Sequence, residues 1–269
     1  MKQVYGKILA AFLAATLLCG TTVPALASEA LGEDLTQQEI LLHEETMLST
    51  NVFWSATYSD LRTEHYITYE PNDEVTPIVT SGAVLREQNT VSAAAGKLEE
   101  EGYRVVAGIN GDFYNTSTGL PIGMVVTEGR LCSSDSGYHA IGFKADGTAV
   151  LGRPAVKVTA DLGYGVDDGL GNYTQIVRQI AGVNKVRVSE GGIYLYTYDF
   201  NMAHTNGTTE AGVDVVCTIA DGELAIGEML TLQVEQVLDN ASATPESGQT
   251  TVTARHLSPG INVSESIMW

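Results

Sequence analysis

The chain has 269 residues, with 33 acidic against 14 lysine and arginine side chains and a net charge of −19. That balance repels nucleic acid and anionic lipid at long range, which excludes both as partners recruited by charge. The length is ample for one large domain, or one domain with an extension, around a sizeable core.

Lys2 and Lys7 make a short basic start, and Ile8 to Leu18 is an almost unbroken apolar run. Pro24 then precedes Ala25-Leu26-Ala27, which puts small residues where a signal peptidase reads. The run is about half of the roughly 20 residues that span a bilayer, so residues 1–27 read as a removable signal peptide. Cys19 follows the bulky Leu18, which does not suit lipoprotein processing. No second long apolar segment follows, so the expectation is a secreted or cell-envelope protein with no integral membrane segment after signal removal. Cys132 and Cys217 remain, either as one disulfide or as two buried thiols. There is no CxxC, HExxH or Cys/His cluster, so no metal site and no cofactor is assigned.

Residues 28–60 read as a lead segment. Leu35, Ile40, Leu41, Leu42, Met47 and Leu48 have a spacing that predicts a short amphipathic helix within 28–50. Aromatic and β-branched residues between Val52 and Tyr69 predict strands, ended by a turn at Pro71-Asn72-Asp73. Thr90 is the N-cap expected for a helix over Val91 to Glu100, with Gly102 beyond its end. Arg104 to Ile109 predicts a buried strand. Short strands follow at Met124 to Thr127, Ala140 to Phe143, Ala149 to Leu151 and Val156 to Val158, with hairpin turns at Glu128-Gly129 and Asp146-Gly147. Leu162 to Asn172 predicts a loop. Later strands are expected at Gly192 to Thr197, Val213 to Ile219 and Leu230 to Val237. A polar loop at Ala241 to Thr250 then leads to a final strand at Thr251 to His256. No repeat or heptad is present. The fold class is α+β, a strand-rich mixed sheet with few helices.

The densest chemistry lies in AGINGDFYNTSTGLPIGMVVTEGR, Ala107 to Arg130. Asn110, Asp112 and Asn115 offer donors and acceptors, and Gly111, Gly119, Gly123 and Gly129 let the backbone turn or approach a ligand. Phe113 and Tyr114 supply flat faces that pack on sugar rings. The same residues also read as plain turn chemistry, with aromatic side chains pinning a loop to the core.

With Asn110-Gly111-Asp112-Phe113-Tyr114, Pro121-Ile122-Gly123 and Glu128-Gly129-Arg130 in this order, the chain resembles the phosphodiester glycosidase family. The resemblance continues through IGFKADGTAVLG at 141–152, GVNKVR at 182–187, IYLYTYDFNMAHT at 193–205 and GVDVV at 212–216. It implies a domain over residues 61–269. A later Asp-Gly-Gly-Gly-Ser segment of the family is not found, so the chain is expected to hold the N-terminal portion of that domain.

The implied reaction is hydrolysis of sugar-1-phosphate diesters in extracellular or cell-wall glycans, with a glycan or sugar-phosphate as partner. Asp112 is the implied catalytic carboxylate. Asn110 and Asn115 would bind sugar hydroxyls or fix Asp112, and Gly111, Phe113, Tyr114 and Gly123 would bind substrate, as would Arg130, which would hold phosphate, and His204 in the following loop. Asp167-Asp168 offers a further pair of acids, as cation ligands or as turn residues. The alternative is a non-catalytic carbohydrate-binding or envelope-associated protein.

Overall fold

The computed structural model describes residues 32–134, 136–188, 192–207, 212–239, 247, 249–253 and 260–268. The expected signal peptide and most of the expected 241–250 loop lie outside these residues. The chain divides between Glu70 and Pro71 into two compact units.

The first unit is a three-stranded meander of β1 (Glu33–His43), β2 (Thr46–Ser55) and β3 (Asp60–Tyr69). The helix expected within 28–50 is therefore corrected to two strands. Its supposed apolar face is a set of cross-strand partners: Ile40 pairs with Leu48 and Leu41 with Met47. The chain reverses at Glu44-Glu45, where Glu45 takes a left-handed φ of 48°. Along β2, Ser49, Asn51, Phe53 and Ser55 alternate as the buried face, which is the period of a strand.

The second unit opens with the turn expected at Pro71, where Asn72 Oδ1 accepts the amides of Glu74 and Val75. Helix α1 (Val91–Glu100) then starts at Thr90, whose hydroxyl accepts the Ala93 amide at 3.1 Å. Gly102 closes it with φ 99°. Arg104 to Ile109 is not a strand. These residues pair with no neighbour among the described residues, and Ile109 is 77% exposed. Their β-branched composition favours extension, but a strand needs a ladder partner to be one.

Two small hairpins follow: β4 (Val125–Thr127) with β5 (Arg130–Ser133), and β6 (Ala140–Phe143) with β7 (Ala149–Gly152). Their turns are the expected Glu128-Gly129, both at positive φ, and a turn around Gly147. The remaining strands are β8 (Ala155–Asp167), β9 (Tyr173–Val183), β10 (Ile193–Thr197), β11 (Val213–Asp221), β12 (Met229–Asp239), β13 (Gln249–Thr253) and β14 (Gly260–Met268). They close into a barrel in the order β10-β13-β11-β12-β14-β8-β9. Only β9–β10 is parallel, which makes the sheet mixed. The strand-rich α+β expectation therefore holds.

Two details differ from expectation. Leu162 to Asp167 extends β8, and only the stretch around 168–172 turns. The glycines serve a bulge, since the β8–β9 register shifts between Asp161 and Gly165. A Cβ on Gly165 would sit 2.4 Å from the Thr174 carbonyl. The strand at Gln249–Thr253 is also not the last. Gly260–Met268 joins β12 to β8 and closes the barrel. Alternating inward residues build the core, including Val158, Ala160, Leu162, Val215, Cys217, Leu230 and Leu232.

Candidate functional site

The Asp112 loop is held by its own backbone. Tyr114 and Pro121 form an isolated bridge, Ile122 N donates to Phe113 O at 2.9 Å and Asn115 N to Leu120 O at 2.9 Å. Asn115 Oδ1 accepts the amides of Ser117 and Thr118 at 3.0 and 3.1 Å. Asn115 thus shapes the loop, as the turn-chemistry reading of this segment expected. Gly119, at φ 73°, lies directly over the Arg86 carbonyl. Arg86 Nε and Gln88 Nε2 tie the loop to the 81–88 segment by donating to Thr118 O and Thr116 O.

Asp112 Oδ2 accepts the Gly123 amide at 2.9 Å. A Cβ on Gly123 would lie 3.2 Å from that oxygen, so glycine permits the approach. Asn110 and Gly111 stand exposed beside it. Phe113 is 83% exposed and Tyr114 46%, so the aromatic side chains turn outward instead of pinning the loop to the core. Beyond Gly123, the Lys185 ammonium donates to the carbonyls of Pro121, Ile122 and Gly123 at 3.1, 3.0 and 2.8 Å.

A second group gathers around the 3-10 turn Tyr198–Phe200. Arg130 Nη2 lies 3.4 Å from Asp199 Oδ2, and Asp199 Oδ1 accepts the Thr197 hydroxyl. Thr197 Oγ1 in turn accepts Asn184 Nδ2 at 2.8 Å. Asn184 is buried at a left-handed φ of 51°; its Oδ1 accepts the Thr197 amide and its Nδ2 also donates to Cys132 O. The polar chain therefore runs in one direction from Asn184 through Thr197 to Asp199, and meets Arg130 there. With the 81–85 segment and Cys132, Arg130, Asn184 and Asp199 line a pocket of about 70 Å³. That volume takes a small polar group and is well below the few hundred Å³ of a ligand-sized cavity.

His204 reaches the same turn. Its ring stacks on Tyr198 at 3.8 Å between centroids, and Nδ1 lies 2.7 Å from the Tyr198 carbonyl. A carbonyl only accepts, so Nδ1 carries a proton. Asn201 clamps this loop from both sides through Ala203 N and Thr205 O.

A family model for phosphodiester glycosidases matches residues 103–243. The chain belongs to the phosphodiester glycosidase family. No curated protein and no solved structure matches it.

The family match covers the Asp112 loop, Arg130, Asn184, Lys185, the 198–200 turn and His204, while the 81–88 segment lies before it. The sequence placed Asn110, Gly111, Asp112, Phe113, Tyr114, Asn115 and Gly123 together, and they share one loop. Arg130 and His204 meet elsewhere, on the turn 198–200, through Asp199 and Tyr198. Adjacent residues link the groups: Asn184 serves the Arg130 side and Lys185 the Asp112 side. Lys185, Asn184, Thr197 and Asp199 were not singled out from the sequence. Asn184 and Lys185 follow the apolar Ile180 to Val183 inside the resemblance at 182–187, and Thr197 and Asp199 lie inside that at 193–205.

Asp167 and Asp168 cap their own turn. Asp167 accepts the Gly169 amide, and Asp168 accepts Leu170 N, Asn172 N and Asn172 Nδ2. The Asn172 side chain and then the Leu170 amide hold the Asp168 carboxyl below the usual carboxylate range. Among the described residues no three His, Cys, Asp or Glu side chains gather as a metal site, and no helix is long and apolar enough to cross a membrane. Cys132 and Cys217 are free thiols.

Proposed function

We propose that the protein is an exported hydrolase of sugar-1-phosphate diesters in extracellular or cell-wall glycans. The reaction class comes from the family. The observation that carries the site is the Asp112 carboxylate, oriented by the Gly123 amide on a loop whose aromatic neighbours face outward. Export is supported by the basic start, the apolar run from Ile8 and the Ala25-Leu26-Ala27 site.

In this reading a sugar stacks on Phe113 or Tyr114, with Asn110 at its hydroxyls. Water adds at the anomeric carbon, the bond from that carbon to the bridging phosphate oxygen breaks, and a free sugar and a phosphate monoester leave. Asp112 stabilises the oxocarbenium-like centre or takes the water proton. Arg130, oriented by Asp199, faces the phosphate oxygens. An arginine is needed there because the net charge of −19 otherwise repels the substrate.

The test is release of free sugar from an N-acetylglucosamine-1-phosphodiester by purified protein. Turnover that drops by about 10³-fold in Asp112→Ala, with the circular dichroism spectrum unchanged, supports the reading. Equal turnover in that variant removes Asp112 from the site. Sugar binding without any turnover favours a carbohydrate-binding protein instead.

A further inference from the structure

The contacts of Lys185 are unusual in their direction. Its ammonium meets three consecutive carbonyls, those of Pro121, Ile122 and Gly123. In a trans peptide the C=O and the following N–H point in opposite directions. A turn whose carbonyls converge on a cation therefore shows its amides to the other side. The Ile122 amide bonds the Phe113 carbonyl there. The Gly123 amide bonds Asp112 Oδ2.

One peptide unit carries both ends of this arrangement. The Ile122 carbonyl faces Lys185 at 3.0 Å, and the Gly123 amide of the same unit faces Asp112 at 2.9 Å. Cation, peptide dipole and carboxylate are aligned head to tail. Such an alignment polarises the peptide and strengthens the amide–carboxylate bond. It also fixes where the carboxylate points, because the turn cannot rotate while three carbonyls hold one ammonium.

We infer that Lys185 is a positioning residue for Asp112, acting through the Ile122–Gly123 peptide. The inference rests on the assignment of Asp112 as the reacting carboxylate. Lys185 touches no substrate in this arrangement, so its loss affects the chemical step and leaves ground-state binding nearly intact.

The experiment is a double-mutant cycle with a spectroscopic readout. Lys185→Met is expected to lower kcat by about 10²-fold, the scale of a misplaced catalytic group, with KM within about threefold. Lys185→Arg, which keeps a cation and several donors, is expected to recover most of that loss. In an Asp112→Asn background the Lys185→Met change is expected to cost less than about threefold, because its route to the reaction is already cut. Additive losses in the cycle, or kcat within twofold of wild type in Lys185→Met, overturn the inference.

The Gly123 amide proton resonance reads the same linkage without turnover. It is expected to move in Lys185→Met in the direction it moves in Asp112→Asn. A protein that hydrolyses no sugar phosphodiester but shows this shift retains the linkage and loses the proposed reaction. A folded Lys185→Met whose Gly123 amide is unmoved loses the linkage. Should Lys185→Met not fold, Lys185→Gln and Lys185→Arg are compared: equal kcat and equal Gly123 shifts in the two overturn the role of the charge.

Discussion

Arg130 and Asp199 lie 3.4 Å apart across a small pocket, and the second oxygen of Asp199 holds the Thr197 hydroxyl. The arginine is thus aimed by a carboxylate that is itself aimed by Thr197 and, behind it, the buried Asn184. Both side chains of the ion pair are about half exposed. An exposed pair contributes little stability, so Asp199→Asn should change unfolding free energy by less than about 1 kcal/mol. Arg130→Ala should instead weaken competitive inhibition by inorganic phosphate by about 10–100-fold, the scale of one hydrogen bond to a charged group. Unchanged phosphate inhibition in that variant removes Arg130 from the phosphate side.

Gly119 and Gly129 separate two costs of replacing a glycine. Both have positive φ, 73° and 80°. A Cβ on Gly119 would meet the Arg86 carbonyl oxygen at 2.0 Å, whereas a Cβ on Gly129 meets nothing within 4 Å. Gly129→Ala should cost only the left-handed strain, about 1 kcal/mol. Gly119→Ala adds a clash with backbone and should cost clearly more, with the Asp112 loop displaced. Urea midpoints of the two variants make the comparison, and equal losses would contradict the packing of Gly119 on Arg86.

Much of the fold was legible where the determinant is local. Thr90, Gly102 and the Glu128-Gly129 turn act over a few residues, and each was found where the sequence placed it. The Asp112 loop was legible for the same reason, since glycine, asparagine and aromatic residues cluster there. Arg104 to Ile109 was misread because β-branched composition gives extension but not a ladder partner. Ile40 and Leu48 were misread as one helical face because a helix and a hairpin can both bring apolar residues eight positions apart together. Ile261, Val263 and Ile267 keep the period of two, but Glu265 interrupts it, and the final strand was expected at Thr251 to His256. Lys185 was out of reach of any local pattern. Its carbonyl partners lie 62 to 64 positions away in the chain, and the docking of β5 against the end of β9 brings them together.

His204 holds a left-handed φ of 53° and donates from Nδ1 to the Tyr198 carbonyl. Asparagine tolerates that backbone and offers a donor near the Nδ1 position; alanine does neither. His204→Ala should therefore cost about 1–2 kcal/mol by strain and a lost hydrogen bond, and His204→Asn distinctly less. Both variants lack Nε2. If Nε2 meets substrate, both should lose turnover equally despite their different stabilities. Turnover within twofold of wild type in His204→Asn would leave the residue as a loop brace only. Nitrogen NMR of the neutral ring should show the proton on Nδ1.

Cys217 and Tyr196 give the protein an alkaline limit. Burial pushes the Cys217 thiol from 9.0 up to about 12, with the Glu235 carboxylate adding to the effect. Burial also raises the Tyr196 phenol above its ordinary 10.0, with Tyr194 as the next cause. Both groups are acids that stay protonated in the folded state while the unfolded chain ionises. From about pH 9 the unfolded state binds fewer protons than the folded state, so stability falls as pH rises. One such group costs about 1.4 kcal/mol per pH unit between its unfolded and folded values. Cys217 acts first, and Tyr196 joins from about pH 10. Cys217→Ala removes the first contribution while keeping a small apolar side chain in the core. Urea midpoints at pH 8, 9 and 10 should therefore fall less steeply in Cys217→Ala than in wild type, although the variant starts lower at pH 8. Parallel pH slopes would mean that the Cys217 thiol ionises as readily in the barrel as in the unfolded chain.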